Sequence, residues 1–244
     1  MAEEFKSKSS IADQFKQACV SNSINEVKRL IDSGFDVNIK DTLGSTPLFY
    51  ITAMSQLQLA RFLISSGASL SQTNNNGETP LHVAARQSSK ELLLVYLLNG
   101  ADPSVLNYEG RSAEDLSGNL KPIMIAMIEV KEIFDQLKTN QKQRLESIFQ
   151  EIDEEGLGFL NLEKSVKFNR FIEEVPEEVA KKDAQDFIRD VSICSKGIVY
   201  LEEWLVAFAK LASEKGDQAV DSFIEEYDKA VRERGKFSDF IPRG

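Results

Sequence analysis

The sequence predicts an all-α protein in two parts, a stack of short helix pairs joined by tight turns and then a second helical half. Three observations predict it. Gly34, Gly67 and Gly100 recur every 33 residues, and Gly44, Gly77 and Gly110 recur at the same interval. From Pro122 onward, apolar residues return at helical spacing. The length of 244 residues is long for one compact domain and comfortable for two. A fixed period of this size marks a solenoid, in which no unit can bury its apolar face without a neighbour.

The text around the glycines repeats as well. Gly44-Ser45-Thr46-Pro47-Leu48-Phe49 is followed by Gly77-Glu78-Thr79-Pro80-Leu81-His82 and a weaker Gly110-Arg111-Ser112-Ala113-Glu114. Thr46 and Thr79 stand where a helix needs an N-cap, and Pro47 and Pro80 follow at the first helical position. Leu48 and Leu81 open an inner helix; Leu59, Phe62 and Leu63 are apolar at helical spacing in an outer one. Gly67 and Gly100 fall just past that outer helix, where a left-handed backbone costs glycine least.

These motifs resemble the ankyrin repeat, whose signature includes T-P-L-H. The resemblance covers residues 10–130, strongest from Asn74 to Leu106 and looser at the ends, where capping repeats are atypical. It implies a solenoid of helix pairs with short β-hairpin turns, and a concave face of turn tips and inner helices that binds proteins. On this register the face comprises Thr42, Leu43, Ser45, Ala53, Met54, Asn75, Asn76, Glu78, Arg86, Gln87, Tyr108, Glu109 and Arg111. Arg86 and Tyr108 are the best anchors there, since Arg and Tyr are enriched at hot spots. The resemblance gives His82 a structural hydrogen-bonding role, and Phe49 holds the equivalent place one repeat earlier.

Leu94 and Leu98 depart from the pattern, standing where Arg61 and Ser65 stand one repeat earlier. Four residues apart, they share one helix face. They are either incidental surface leucines or a docking patch for the second half or a partner, and the second reading is preferred.

The second half, residues 131–244, is expected to be helical. A stripe of Ile123, Met127, Val130, Phe134 and Leu137 predicts one long helix leading into it, and helices are expected at 177–191, 200–214 and 217–233. Residues 153–164 and 192–203 each follow an apolar helix end (Phe149 and Ile152; Ile188 and Val191). Each carries Gly at its sixth place and an apolar residue at its eighth: Gly158 and Leu160, Gly197 and Val199. This is similar to a pair of EF-hands over residues 140–213, and the resemblance implies that the two eighth residues pair as a short β-bridge. The ligands are largely missing. Asp153 and Glu155 fit the first and third places, with Glu163 near the end, but Leu157 lacks the fifth-place oxygen and Lys164 replaces the closing glutamate. In the second loop Ser192, Cys194 and Lys196 replace the early ligands, and Glu203 remains. Calcium needs 6–8 oxygens, so no calcium binding is expected. The segment is therefore either a metal-free EF-hand-like lobe that clamps an amphipathic helix, with Trp204, Phe208 and Leu211 lining its groove, or a plain helical domain. The tail around Phe237 and Phe240 either docks on the body or acts as a short linear motif.

Composition bounds the function. Residues 1–130 carry 11 Lys and Arg against 14 Asp and Glu, and residues 131–244 carry 18 against 25, giving -3 and -7 of the total -10. An acidic chain of pI about 4.8 suits a basic protein partner better than nucleic acid. No apolar run approaches the ~18–20 residues of a membrane span, and the acidic start Met-Ala-Glu-Glu-Phe-Lys lacks signal-peptide character. Cys19 and Cys194 are unpaired in spacing and expected reduced, and one histidine without a CxxC excludes zinc. No phosphate-binding glycine loop, nucleophile elbow or triad is present, so no catalytic residue and no cofactor are assigned. The expectation is a cytoplasmic, non-catalytic scaffold, similar in its pairing of modules to some cytoskeletal and ciliary proteins. The alternative is a calcium-responsive regulator using the residual loop ligands.

Overall fold

The computed structural model describes residues 14–173, 175–192 and 197–240. The chain divides into two compact units, Met1–Ile128 and Glu129–Gly244.

In the first unit, helix pairs follow one another: α1 (14–20) with α2 (Ile24–Asp32), α3 (Pro47–Ala53) with α4 (Leu57–Ser65), and α5 (Pro80–Arg86) with α6 (Lys90–Leu98). A short α7 (Ala113–Leu116) and a 3₁₀ turn, Gly118–Leu120, close the series. The inner helices start where the threonine–proline steps predict. Thr46 and Thr79 are extended, with φ of -83° and -90°, and Pro47 and Pro80 are the first helical residues. Buried Leu48, Ile51, Leu59, Leu63 and Leu81 fill the space between successive pairs.

The helix α6 differs from its equivalents because its apolar residues encircle it. All seven residues from Leu92 to Leu98 are buried, as an all-round apolar helix requires. Leu94 and Leu98 are 1% and 8% exposed, so neither is a surface leucine. The long helix expected from Pro122 is α8 (Lys121–Gln136), and α9 (Thr139–Ile152) follows after a short break. Leu137 and Phe134 are buried at the break, and the stripe on α8 is completed by Met124 and Met127.

The second unit contains two helix–loop–strand–helix segments: α9, β1 (Phe159–Asn161) and α10 (Leu162–Ile172), then α11 (Glu177–Val191), β2 (Ile198–Tyr200) and α12 (Leu201–Lys215). The strands pair antiparallel, with Leu160 opposite Val199, both fully buried. A final helix, α13 (Asp217–Arg234), packs on α12, α10 and α9. Trp204 is the centre of the core, edge-on or tilted against Phe149, Phe168, Phe208 and Phe223 at ring distances of 5.0–6.0 Å.

The tail docks on its own unit. Phe237 is buried 5.4 Å from Phe171, and Phe240 lies 5.3 Å from the same ring. Arg234 Nη1 donates to the carbonyls of Arg170 and Phe171, which anchors the end of α13. Among the described residues, no helix is long and apolar enough to cross a membrane.

Candidate functional site

The turns of the first unit are three copies of one construction. Asp41 Oδ1 accepts the backbone N–H of Leu43 and Ser45 at 2.9 and 2.8 Å. Asn74 does the same for Asn76 and Glu78, and Asn107 for Glu109 and Arg111, at 2.9–3.0 Å. A side-chain oxygen that closes its own turn is what Asp and Asn contribute at such places. The tips then stack: Asn75 N–H donates to the Leu43 carbonyl and Tyr108 N–H to the Asn76 carbonyl, each at 3.0 Å.

The stacking fixes two glycines. Gly44 and Gly77 have φ of +71° and +73°, a region that side chains disfavour. A Cβ on Gly44 would sit 2.5 Å from Asn75 Oδ1, and one on Gly77 would sit 2.6 Å from the Tyr108 ring. Glycine is therefore required twice over, by dihedral and by the neighbour that lies across it.

Eleven of the thirteen residues assigned to the concave face are exposed: Thr42, Leu43, Ala53, Met54, Asn75, Asn76, Arg86, Gln87, Tyr108, Glu109 and Arg111. Ser45 and Glu78 are buried. Glu78 is used internally, accepting from Arg86 Nη2 at 2.7 Å and Asn74 Nδ2 at 3.3 Å. The apolar members stand out: Leu43 is 64% exposed, Met54 44% and Tyr108 79%. Val20 is also exposed, and it occupies in the first pair the place of Ala53 in the second. Sequence reasoning passed over it because the first repeat matches the pattern loosely. The charges beside these residues are paired within the surface, Arg86 with Glu78 and Arg111 with Glu109. What the surface offers an incoming molecule is apolar area, with polar turn tips around it.

His82 is a strut. Its Nδ1 lies 2.8 Å from Thr79 Oγ1 and 3.1 Å from Thr79 N, and Nε2 lies 3.2 Å from the Arg111 carbonyl of the next repeat. Burial holds its pKa below the usual imidazole value. In the preceding repeat Phe49 cannot make these bonds, and Thr46 Oγ1 is left buried with no hydrogen-bond partner among the described residues.

In the second unit, Lys164 takes a defined position. Its Nζ lies 2.8 Å from Asp153 Oδ1 and 3.4 Å from Glu155 Oε2. The Lys164 and Asp153 side chains are only 15% and 5% exposed. Burial opposes the charged ammonium, but the hydrogen bonds and charges of Asp153 and Glu155 hold its pKa above the ordinary lysine value. Asp153 Oδ2 also accepts the N–H of Gly158, and Asn161 Oδ1 caps α10 by accepting the N–H of Lys164. A positive charge on a tether thus sits between the Asp153 and Glu155 carboxylates of this loop. Glu163 is exposed at the start of α10. Glu203 is fully buried and accepts the N–H of Tyr200 at 2.9 Å, capping α12. Ser192 is the C-cap of α11, while Cys194 and Lys196 lie outside the described residues. Among the described residues, no three His, Cys, Asp or Glu side chains converge as a metal site.

The expected aromatic groove around Trp204 and Phe208 is largely covered in cis. Phe223 of α13 lies 4.4 Å from Phe208 and 6.0 Å from Trp204, and Tyr227 stacks 6.1 Å from Phe168. An ionic network fastens α13 to α9: Arg144 pairs with Asp228 and Glu151, and Tyr227 Oη donates to Glu151 at 2.7 Å.

Residues 15–107 match the family model for ankyrin repeats, in three copies. The chain carries ankyrin repeats over that segment, and such repeats suggest a role in protein–protein interaction. No curated protein matches the chain.

Proposed function

We propose that this protein is a non-catalytic adaptor whose ankyrin unit holds a protein partner on the face of turn tips and inner helices. The observation that carries this is the row of exposed Leu43, Met54 and Tyr108 beside charges already paired within the surface. Exposed apolar groups on an ordered frame are what a partner removes from water. Leu43 and Tyr108 rest on turns closed by side-chain hydrogen bonds and Met54 caps α3, so the face is ordered before binding and little entropy is lost there.

The second unit, in this reading, is a degenerate EF-hand pair that works without calcium. Its support is the two helix–loop–strand–helix segments, joined through Leu160 and Val199, and the Lys164 ammonium placed between Asp153 and Glu155. A resident cation makes a divalent ion both unnecessary and repelled. This geometry disfavours the calcium-responsive alternative. The coverage of the aromatic face by α13 also disfavours an external helix in the same place. The pairing of modules fits a cytoplasmic role near the cytoskeleton or cilium by fold-level analogy alone.

The test is affinity capture from cytosol with the wild type and with Leu43→Glu/Tyr108→Ala, in chelator and in calcium. The proposal expects a partner set retained by the wild type in both conditions and lost by the double variant. Identical capture by both proteins would refute the assigned face, and capture only in calcium would refute the metal-independent reading.

A further inference from the structure

The turn tips of the ankyrin unit are joined by one repeated contact, and the last tip has its half of that contact open. Asn75 N–H donates to the Leu43 carbonyl, and the Asn75 side-chain amide lies over Gly44. Tyr108 N–H donates to the Asn76 carbonyl, and the Tyr108 ring lies over Gly77. The two acceptors, Leu43 and Asn76, stand 33 residues apart, and Glu109 is the next in their series.

The third tip has the same backbone shape. Gly110 has φ of +72°, against +71° and +73° at Gly44 and Gly77. Here, however, a Cβ would meet nothing within 4 Å. The Glu109 carbonyl accepts no hydrogen bond among the described residues, and Tyr108, Glu109, Gly110 and Arg111 are all exposed. The chain supplies no fourth tip in the same register. Gln141, 33 residues beyond Tyr108, is buried in α9 and donates to the Asp217 carbonyl and the Asp221 carboxylate.

Water satisfies an exposed carbonyl, so openness alone marks no site. What marks this one is that the chain covers the equivalent surface twice, each time with a backbone donor and a flat side chain. We propose that the tip at Glu109 and Gly110 docks a turn of the protein partner. That turn continues the stack by donating a backbone N–H to the Glu109 carbonyl and laying a planar amide or aromatic side chain over Gly110. The element that fits is a turn closed by an Asn or Asp side chain. Asn74 Oδ1 accepts the second and fourth N–H after it, as Asn107 Oδ1 does, and the first is thereby left for the neighbouring tip. Recognition through main-chain bonds selects the shape of the turn more than its sequence. This inference rests on the adaptor reading and names the element by which the partner engages one end of the face.

The probe is a cyclic peptide copying residues 105–112, which presents the Asn107–Tyr108 turn that already serves as a donor in this chain. It is titrated into the isotope-labelled full chain, and the amide signals are followed by NMR. The expected result is saturable shifts at residues 109–111 and none at 43–44 or 76–77, where the contact is already made. The dissociation constant is on the order of 1–10 mM, since one hydrogen bond and one side-chain contact must offset the cost of association. Methylating the peptide's Tyr amide nitrogen weakens binding roughly two- to tenfold, as loss of one net hydrogen bond does. Gly110→Ala places a Cβ where the incoming side chain belongs, without touching a neighbour, and weakens binding to a similar degree. No saturable shift, or an affinity indifferent to the methyl group or to Gly110→Ala, would overturn the assignment. So would shifts of the same amides with protein concentration alone, which would make the occupant a second copy of the chain. Captured partners separate this inference from the reading beneath it. A partner lost by Leu43→Glu/Tyr108→Ala but kept by Gly110→Ala overturns the docking point alone; a partner kept by both variants overturns the assigned face.

Discussion

Replacing Lys164 by methionine keeps the aliphatic stem and removes the charge. The ion pair it breaks joins side chains 15% and 5% exposed at 2.8 Å. An exposed pair is worth about 0–1 kcal/mol, whereas stranding one partner of a buried pair costs about 3–5. Asp153 keeps its bond from the Gly158 N–H, and Glu155 is open to water, which softens the loss. The expected cost is therefore about 2–3 kcal/mol, below the fully buried limit. Urea unfolding followed by Trp204 fluorescence measures it, because the one tryptophan lies in the helical unit and reports that unit alone. The sign of the pH dependence follows from the raised pKa of Lys164. Its contribution is complete below the unfolded lysine value, about 10.4, and is lost as pH climbs through the higher folded value. The methionine variant lacks that alkaline loss. A companion, Leu157→Asp/Lys164→Glu, supplies the missing oxygens and removes the resident cation, so calcium now stabilises the unit. A methionine variant within about 0.5 kcal/mol of wild type, the range of neutral surface changes, would refute the reasoning.

Three further outcomes follow from the same geometry. His82→Phe reproduces the situation at Phe49 and strands Thr79 Oγ1, at a cost of about 1–3 kcal/mol in circular-dichroism melts. Because the folded pKa of His82 is depressed, wild-type ankyrin stability falls as pH drops through the ordinary histidine range, and the Phe variant loses that dependence. Gly77→Ala meets both a positive φ and the Tyr108 ring, whereas Gly110→Ala meets the same φ with nothing within 4 Å. The first is expected to cost about 1 kcal/mol more than the second, and equal melting temperatures would show that the Tyr108 contact is unimportant. Glu146 has its pKa raised by burial and by Glu202, so its folded form holds a proton more tightly and the helical unit weakens as pH rises past the carboxylate range. Glu146→Gln is expected to raise the melting temperature at neutral pH and leave it unchanged in acid.

The repeat was legible because its rules are local. Two glycine series, the threonine–proline step and one Asx-closed turn are each written within a few adjacent residues, and periodicity multiplies the signal. Exposure of Leu43 and Tyr108 followed from register alone. Burial of Ser45 and Glu78 did not, since Glu78 turns inward to meet Arg86 eight residues away. In the helical half, the ranges of α11, α12 and α13 follow from apolar spacing, but spacing on one helix does not say which other helix it meets. Phe223 and Tyr227 gave no sign that they would cover the Trp204 face. Docking of Phe237 is a tertiary event for the same reason. The stripe that predicts α8 ends where the helix ends, with Phe134 and Leu137 buried at the break before α9. The pairing of Lys164 with Asp153 was half visible. The sequence shows a lysine where a carboxylate belongs; only the folded loop shows it reaching back eleven residues to the first acid.

The most direct test of the central claim is hydrogen–deuterium exchange of the full chain, free and bound to the partner recovered by capture. The account predicts slowed exchange at the turn tips, residues 42–45, 75–78 and 108–111, to the same extent in chelator and in calcium. Protection confined to other segments, or protection that appears only with calcium, would contradict it.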